Sequence, residues 1–318
     1  MDHIAILKDA ARTTLRHRAL WVLGPLWFLV GGGISTGYVG TPGNFGSNWR
    51  YNGRSPHLPR FDPDQFLAAL VVLCGLGLIL LVVSQIIRYV LQAGIYRSLY
   101  RLHTEGAEPT IAAGFREGWH RRTWRLVAQN WLVAVPFIIV ALVLLALAAA
   151  PLLLNLTESK GLNVLGIVMA IGLFMGWLGF LLVVGMILSV LQQFWWRLAV
   201  IADQTTFTAM RNGWRLVRQN LGDIGIMWLL LVGINILVMV VSFPVILVLG
   251  GVTAAVAGGP GYLIYSLTHS LILSLFWAVP VSILFLVVPL LFLGGLYLIF
   301  QTEVWNRVFI EIYQRSFV

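Results

Sequence analysis

Residues 224–302 read IGIMWLLLVGINILVMVVSFPVILVLGGVTAAVAGGPGYLIYSLTHSLILSLFWAVPVSILFLVVPLLFLGGLYLIFQT, 79 residues without one Lys, Arg, Asp or Glu. Uncharged runs of the same character occupy 126–157 and 161–196. A water-soluble fold does not hide that much uncharged chain, whereas a bilayer core of ~30 Å demands it, at ~20 apolar residues per helical crossing. The fold class this implies is all-α, a polytopic membrane protein.

Working outward, six segments have the required character: roughly 19 to 38, 65 to 95, 128 to 153, 162 to 196, 223 to 249 and 266 to 302. The first is the weakest, because Gly31, Gly32 and Gly33 end it early. Its lead of Lys8, Arg12, Arg16 and Arg18 imitates a secretory signal, but no small-residue cleavage site follows, so a retained helix is expected. In the sixth, Pro280 and Pro289 predict an interruption, since proline removes a backbone donor. Six crossings put 17 of the 21 basic residues on the side of both termini and leave Arg50, Arg54, Arg60 and Lys160 on the other. That asymmetry predicts cytoplasmic termini in the plasma (bacterial inner) membrane. The net charge of +9 therefore reflects topology, and no nucleic-acid partner is expected.

The chain also repeats itself. Trp124–Asn130 reads WRLVAQN and Trp214–Asn220 reads WRLVRQN, each leading into an odd-numbered membrane segment. The even-numbered segments close on VLQAGIYR at 90–97, VLQQFWWR at 190–197 and IFQTEVWNR at 299–307. One domain, 1–318, is thus expected to hold three tandem repeats, 1–103, 104–202 and 203–318, each an interfacial basic helix followed by a helix pair. The basic helices are read over 110–131 and 207–221. There, apolar Ile111, Phe115, Trp119 and Leu126 interleave with Arg116, Arg121, Arg122 and Arg125, and Met210, Trp214 and Leu221 with Arg211, Arg215 and Arg218. Such segments suit the headgroup layer, rings in and guanidinium groups on phosphate, as lipid-binding sites or as simple anchors.

Chemistry is scarce by comparison. Gly33-Ile34-Ser35-Thr36-Gly37 spells a nucleophile-elbow pattern, but that motif needs a strand before it and here it closes a membrane segment. Asp62 and Asp64 flank Pro63 as helix-start residues. The lone Cys74 builds no disulfide, and no histidine pair has ligand spacing; His269, in YSLTHS, is the one candidate metal or pigment ligand. Asn235 is the main mid-span polar group, and Arg88 and Glu303 stand near span ends, so an ion-driven pathway is disfavoured. Gly166, Gly172, Gly176 and Gly179 give the fourth segment a small-residue face for close helix contact, inside the chain or with a partner. The Gly- and Pro-rich outer loop, 35–65, carries Trp49-Arg50-Tyr51, residue types that anchor interfaces.

At WRLVAQN, WRLVRQN and the ALWVLGPLWFL of 19–29, the chain resembles bacterial six-helix membrane proteins, among them the membrane domain fused to some glycerophosphodiester phosphodiesterases. The resemblance implies helical-repeat architecture and brings no catalytic residue, because the hydrolase domain of those fusions is absent from this sequence. The expectation is a non-enzymatic scaffold or accessory subunit without cofactor, partnered by membrane lipids and by another membrane protein or itself. A transporter or flippase for an amphipathic molecule is the alternative.

Overall fold

The computed structural model describes residues 1–31, 63–156 and 159–317. The elements are α1 (His3–Arg16), α2 (Leu20–Val30), α3 (Pro63–Thr104), α4 (Ile111–Gly118), α5 (Arg121–Ala149), α6 (Lys160–Val200), α7 (Thr206–Gln219), α8 (Leu221–Thr253), α9 (Gly259–Thr268), α10 (Leu271–Ser282) and α11 (Val288–Phe317). No strand occurs among the described residues. Among the described residues, five helical stretches are long and apolar enough to cross a bilayer: Leu70–Thr104, Thr123–Leu154, Lys160–Val200, Leu221–Thr268 and Leu271–Arg315. The protein is an all-helical integral membrane protein.

Three sequence expectations, on the fifth segment, the sixth segment and 110–131, are corrected, and one lies partly outside the described residues. Of the first segment, expected over 19–38, residues 20–30 form the 11-residue α2, about half a crossing at ~1.5 Å per residue, and 32–38 lie outside the described residues. The fifth runs on through 250–268 rather than ending at 249. A π turn at Ala254–Gly258 absorbs the Gly258-Gly259-Pro260 sequence, so the backbone stays hydrogen-bonded where a loop would expose it. The turn comes instead at His269, whose left-handed φ of 53° and N–H to the Tyr265 carbonyl end α9, while Ser270 caps α10. The prolines of the sixth segment likewise produce a π turn, Ile283–Val287, between α10 and α11 and not a break.

The third correction concerns 110–131, which is not one helix. Thr110 caps α4 through the Ala113 N–H, and α4 stops at Gly118, whose carbonyl accepts the Thr123 hydroxyl. WRLVAQN consequently lies inside the spanning α5, whereas WRLVRQN closes α7 at Asn220, where the side-chain amide turns back onto the Leu216 carbonyl at 3.0 Å.

Burial divides the molecule into two levels. The hydrophobic core comes from 6–27, 89–99, 126, 191–200, 209–231 and 299–312, all towards the end that carries both termini, here called the basic end. Beyond it the helices associate mainly as hairpins. Trp177 of α6 donates to the Ala141 carbonyl of α5 at 2.9 Å, and Ser274 of α10 to the Gly261 carbonyl of α9 at 2.7 Å. Leu70–Val83 of α3 is exposed on every side. That is the arrangement expected when lipid, not water, covers the outer halves: apolar surface there carries no cost, so no shared core is needed.

Candidate functional site

The ends of the three long return helices, α3, α6 and α11, converge on one buried guanidinium. Arg197 of α6 is 1% exposed. Its Nε donates to Asn306 Oδ1 at 2.6 Å, one Nη to the Gln193 carbonyl at 2.7 Å and to Gln193 Oε1 at 2.9 Å, and the other to the Thr302 carbonyl at 3.0 Å. The group lies over the Tyr96 ring of α3, 4.6 Å from its centre. Asn306 in turn donates to the Tyr96 carbonyl at 3.4 Å, and Gln92 to the Tyr96 hydroxyl at 2.8 Å. These residues stand in the three segments noted as endings of similar type, at paired positions 92/96, 193/197 and 302/306. The i, i+4 spacing puts each pair on one helix face. The aligned endings set Gln92 against Gln192 and Arg97 against Arg197, so these pairs are one position out of register, and Arg197 read from sequence as a topology determinant.

A second clasp ties α11 to α3 and α1. The carboxylate of Glu303, fully buried, accepts from His103 at 2.5 Å and from Arg307 at 2.8 Å through the same oxygen. Arg307 also reaches Asp9 at 3.4 Å and Thr13 at 3.1 Å. Beside it opens a cleft of about 360 Å³, lined in part by Asp2, Asp9, His103, Arg307 and Glu311. No group of three potential ligand side chains that could hold a metal stands among the described residues. Both clusters tie helices together, and the second oxygen of Glu303, Oε2, is buried there without a hydrogen-bond partner.

The expected lipid contacts divide. Arg116 on α4 and Arg211, Arg215 and Arg218 on α7 are exposed, with Trp119 and Trp214 exposed on the same helices. The buried sides of these helices are small: Gly114 and Gly118 on α4, and Ala209 and Gly213 with Leu216 and Val217 on α7. A Cβ on Gly118 would stand 2.0 Å from the Val90 carbonyl oxygen, and one on Gly213 2.4 Å from the Trp195 ring, so only glycine lets the helices lie this close. Arg125 has another task, since it bonds Asp203 at 2.7 Å and the Gln204 carbonyl at 3.2 Å and latches the α6–α7 connection to α5. Arg121 and Arg122 open α5, with side chains outside the described part.

Of the glycine face, Gly166 is covered from within, a Cβ there meeting the Pro151 carbonyl at 2.6 Å, while Gly172, Gly176 and Gly179 face open space. Asn235 is half-buried and bonds Tyr297 at 2.5 Å and Gln301 at 3.2 Å, so it joins α8 to α11. His269 sits exposed in the α9–α10 turn. Trp49, Arg50, Tyr51, Ser35 and Asp62 lie outside the described residues.

A helical membrane protein, tied together at one end and spread apart in its apolar half, is therefore the class that fold and site define. The chain belongs to the family of unknown function DUF7544, whose sequence profile matches residues 7–316. No curated protein and no solved structure matches it.

Proposed function

We propose that the protein is a non-enzymatic membrane scaffold or accessory subunit that binds lipid and another membrane protein, or a second copy of itself. The observation that carries this reading is the contrast between the two levels. The basic end is rigidly tied through Arg197 and Glu303, whereas the apolar half offers long helix surfaces that no described residue covers, including Leu70–Val83 and the open face of Gly172, Gly176 and Gly179. Small residues allow a neighbouring helix to approach closely, and in lipid that contact is a main source of helix association. The transporter alternative needs a polar path through the apolar level, and the polar cleft stands at the basic end. The reading takes the membrane to be the bacterial inner membrane with the basic end in the cytoplasm, which the charge asymmetry supports. It takes α1, α4 and α7 as the three amphipathic members of a triplicated unit.

Purification in a gentle detergent followed by native mass spectrometry tests this. The expected result is a complex with a second membrane protein or a homo-oligomer. Because nothing stands within 4 Å of a Cβ at Gly176, Gly176→Leu should leave the fold intact and weaken association about tenfold, ~1.4 kcal/mol. A strict monomer in the wild type sinks the scaffold reading.

A further inference from the structure

We infer that the corner between α7 and α8 seats one anionic phospholipid, its phosphate on the arginines of α7 and an acyl chain along α8. This rests on the lipid-binding part of the reading above and names the lipid class and the place. Arg211, Arg215 and Arg218 are spaced i, i+4, i+7, which brings them to a single exposed stripe of α7. None of the three has an ion-pair partner among the described residues. The nearest carboxylate along the chain, Asp223, is engaged by Arg315 at 3.4 Å and by His3 at 3.7 Å. The stripe is thus a set of three uncompensated cations beside an exposed Trp214. The amino end of α8, which begins at Leu221, adds its own positive potential.

α8, which follows α7 through Asn220, carries an apolar groove of about 440 Å³ lined by Ile226, Leu229, Leu230, Gly233, Ile234 and Leu237. These positions follow the i, i+3, i+4, i+7, i+8, i+11 pattern of one helix face. Eleven residues at ~1.5 Å give ~16 Å, about half the thickness of a bilayer core and so the depth of one leaflet. Gly233 forms the hollow, for a Cβ there would meet nothing within 4 Å. The groove begins at Ile226, the sixth residue of α8 and eight residues after Arg218 along the chain. A phosphate-bearing lipid meets both halves at once, because its charge and its chain are joined in the order in which the protein presents cations and groove. A free phosphate would use only the first half, and an uncharged apolar molecule only the second.

The test uses the full chain, purified and reconstituted in nanodiscs of mixed phosphatidylglycerol and phosphatidylcholine, with retained lipid read by native mass spectrometry after release. Wild type should keep one phosphatidylglycerol per chain in preference to phosphatidylcholine. Gly233→Phe fills the hollow and should abolish that retained lipid, while Gly251→Phe, also at an open helical glycine of α8, should not. The pair Arg215→Gln and Arg218→Gln should keep a lipid but lower the preference for phosphatidylglycerol at least fivefold. Unchanged retention in Gly233→Phe, an unchanged preference in the arginine pair, or equal loss in Gly251→Phe overturns the seat. Oligomeric state is read from the same spectra. Lipid retained without protein association counts against the scaffold alone, and association without retained lipid counts against the seat alone.

Discussion

Arg197 shows what a single residue contributes to this fold. A guanidinium presents five donors in a planar fork, and here that fork matches acceptors on α6 and α11 while its face meets the Tyr96 ring of α3. Lysine offers a point charge and cannot repeat the geometry. Arg197→Met leaves the Thr302 carbonyl and Asn306 Oδ1 buried without their donor, and each such loss costs ~1–3 kcal/mol. The variant is expected to lose ~3 kcal/mol or more in all, with Arg197→Lys recovering only part; thermal unfolding in detergent measures both. An undiminished midpoint in Arg197→Met would show that the convergence of the return helices does not depend on it. The sequence held a sign of this site in the polar pairs at 92/96, 193/197 and 302/306. Periodicity identifies a shared face, but only the packing shows that the three faces meet one another, and so Arg197 read as one more basic residue near a membrane end.

At the level of elements, the amphipathic helices dock by backbone contact rather than by their conspicuous side chains. Gly94 of α3 and Gly114 of α4 are so close that a Cβ on Gly94 would stand 2.0 Å from the Gly114 carbonyl oxygen. Gly94→Ala must push α4 away, and overpacking of this kind costs ~1–3 kcal/mol. The expected consequence is faster tryptic cleavage at Arg116 in Gly94→Ala than in the wild type. The opposite sign is expected at the open helical Gly179, where alanine gains ~0.5–1 kcal/mol from its helix propensity and the reduced freedom of the unfolded chain. Equal cleavage in Gly94→Ala and wild type would mean that α4 does not depend on this contact. The existence of α4 and α7 was legible from alternating aromatic and basic residues. Their mode of attachment was not, because the reading followed the Arg and Trp residues, and those point outward. Glycine-to-carbonyl approach depends on the partner helix, which lies outside any local window of sequence. The break at Gly118 was missed for the same reason.

For the whole molecule, the parity of crossings connects sequence to orientation. The amino-terminal and carboxy-terminal helices are tied to each other, Asp9 and Thr13 of α1 to Arg307 of α11, so both ends of the chain lie at one level. Five long apolar helices make an odd number, and an even number of passes is needed to return the chain to the side from which it started. The charge distribution asks for the same even number, so six passes, the proposed count, require one more crossing than the five long described helices supply. What the sequence conveyed was the class of fold and the approximate position of five long helices, because lipid imposes length and apolarity directly on the residues. It conveyed less about where helices end, since Gly-Gly-Pro at 258–260 signals a loop in water yet is absorbed as a π turn here. Single cysteines in a Cys74→Ser background decide the topology. Cys74 is exposed, so its replacement leaves the core untouched. Cysteines at Ser47, Ser159 and Ser270 are expected to react with an impermeant maleimide added to intact cells, and one at Thr206, at the start of α7, only after the membrane is opened. Labelling of Thr206 from outside would invert the orientation. Protection of Ser47 while Ser270 reacts would place residue 47 on the basic side, remove the sixth pass and leave the first helix as a half-membrane element packed against α11.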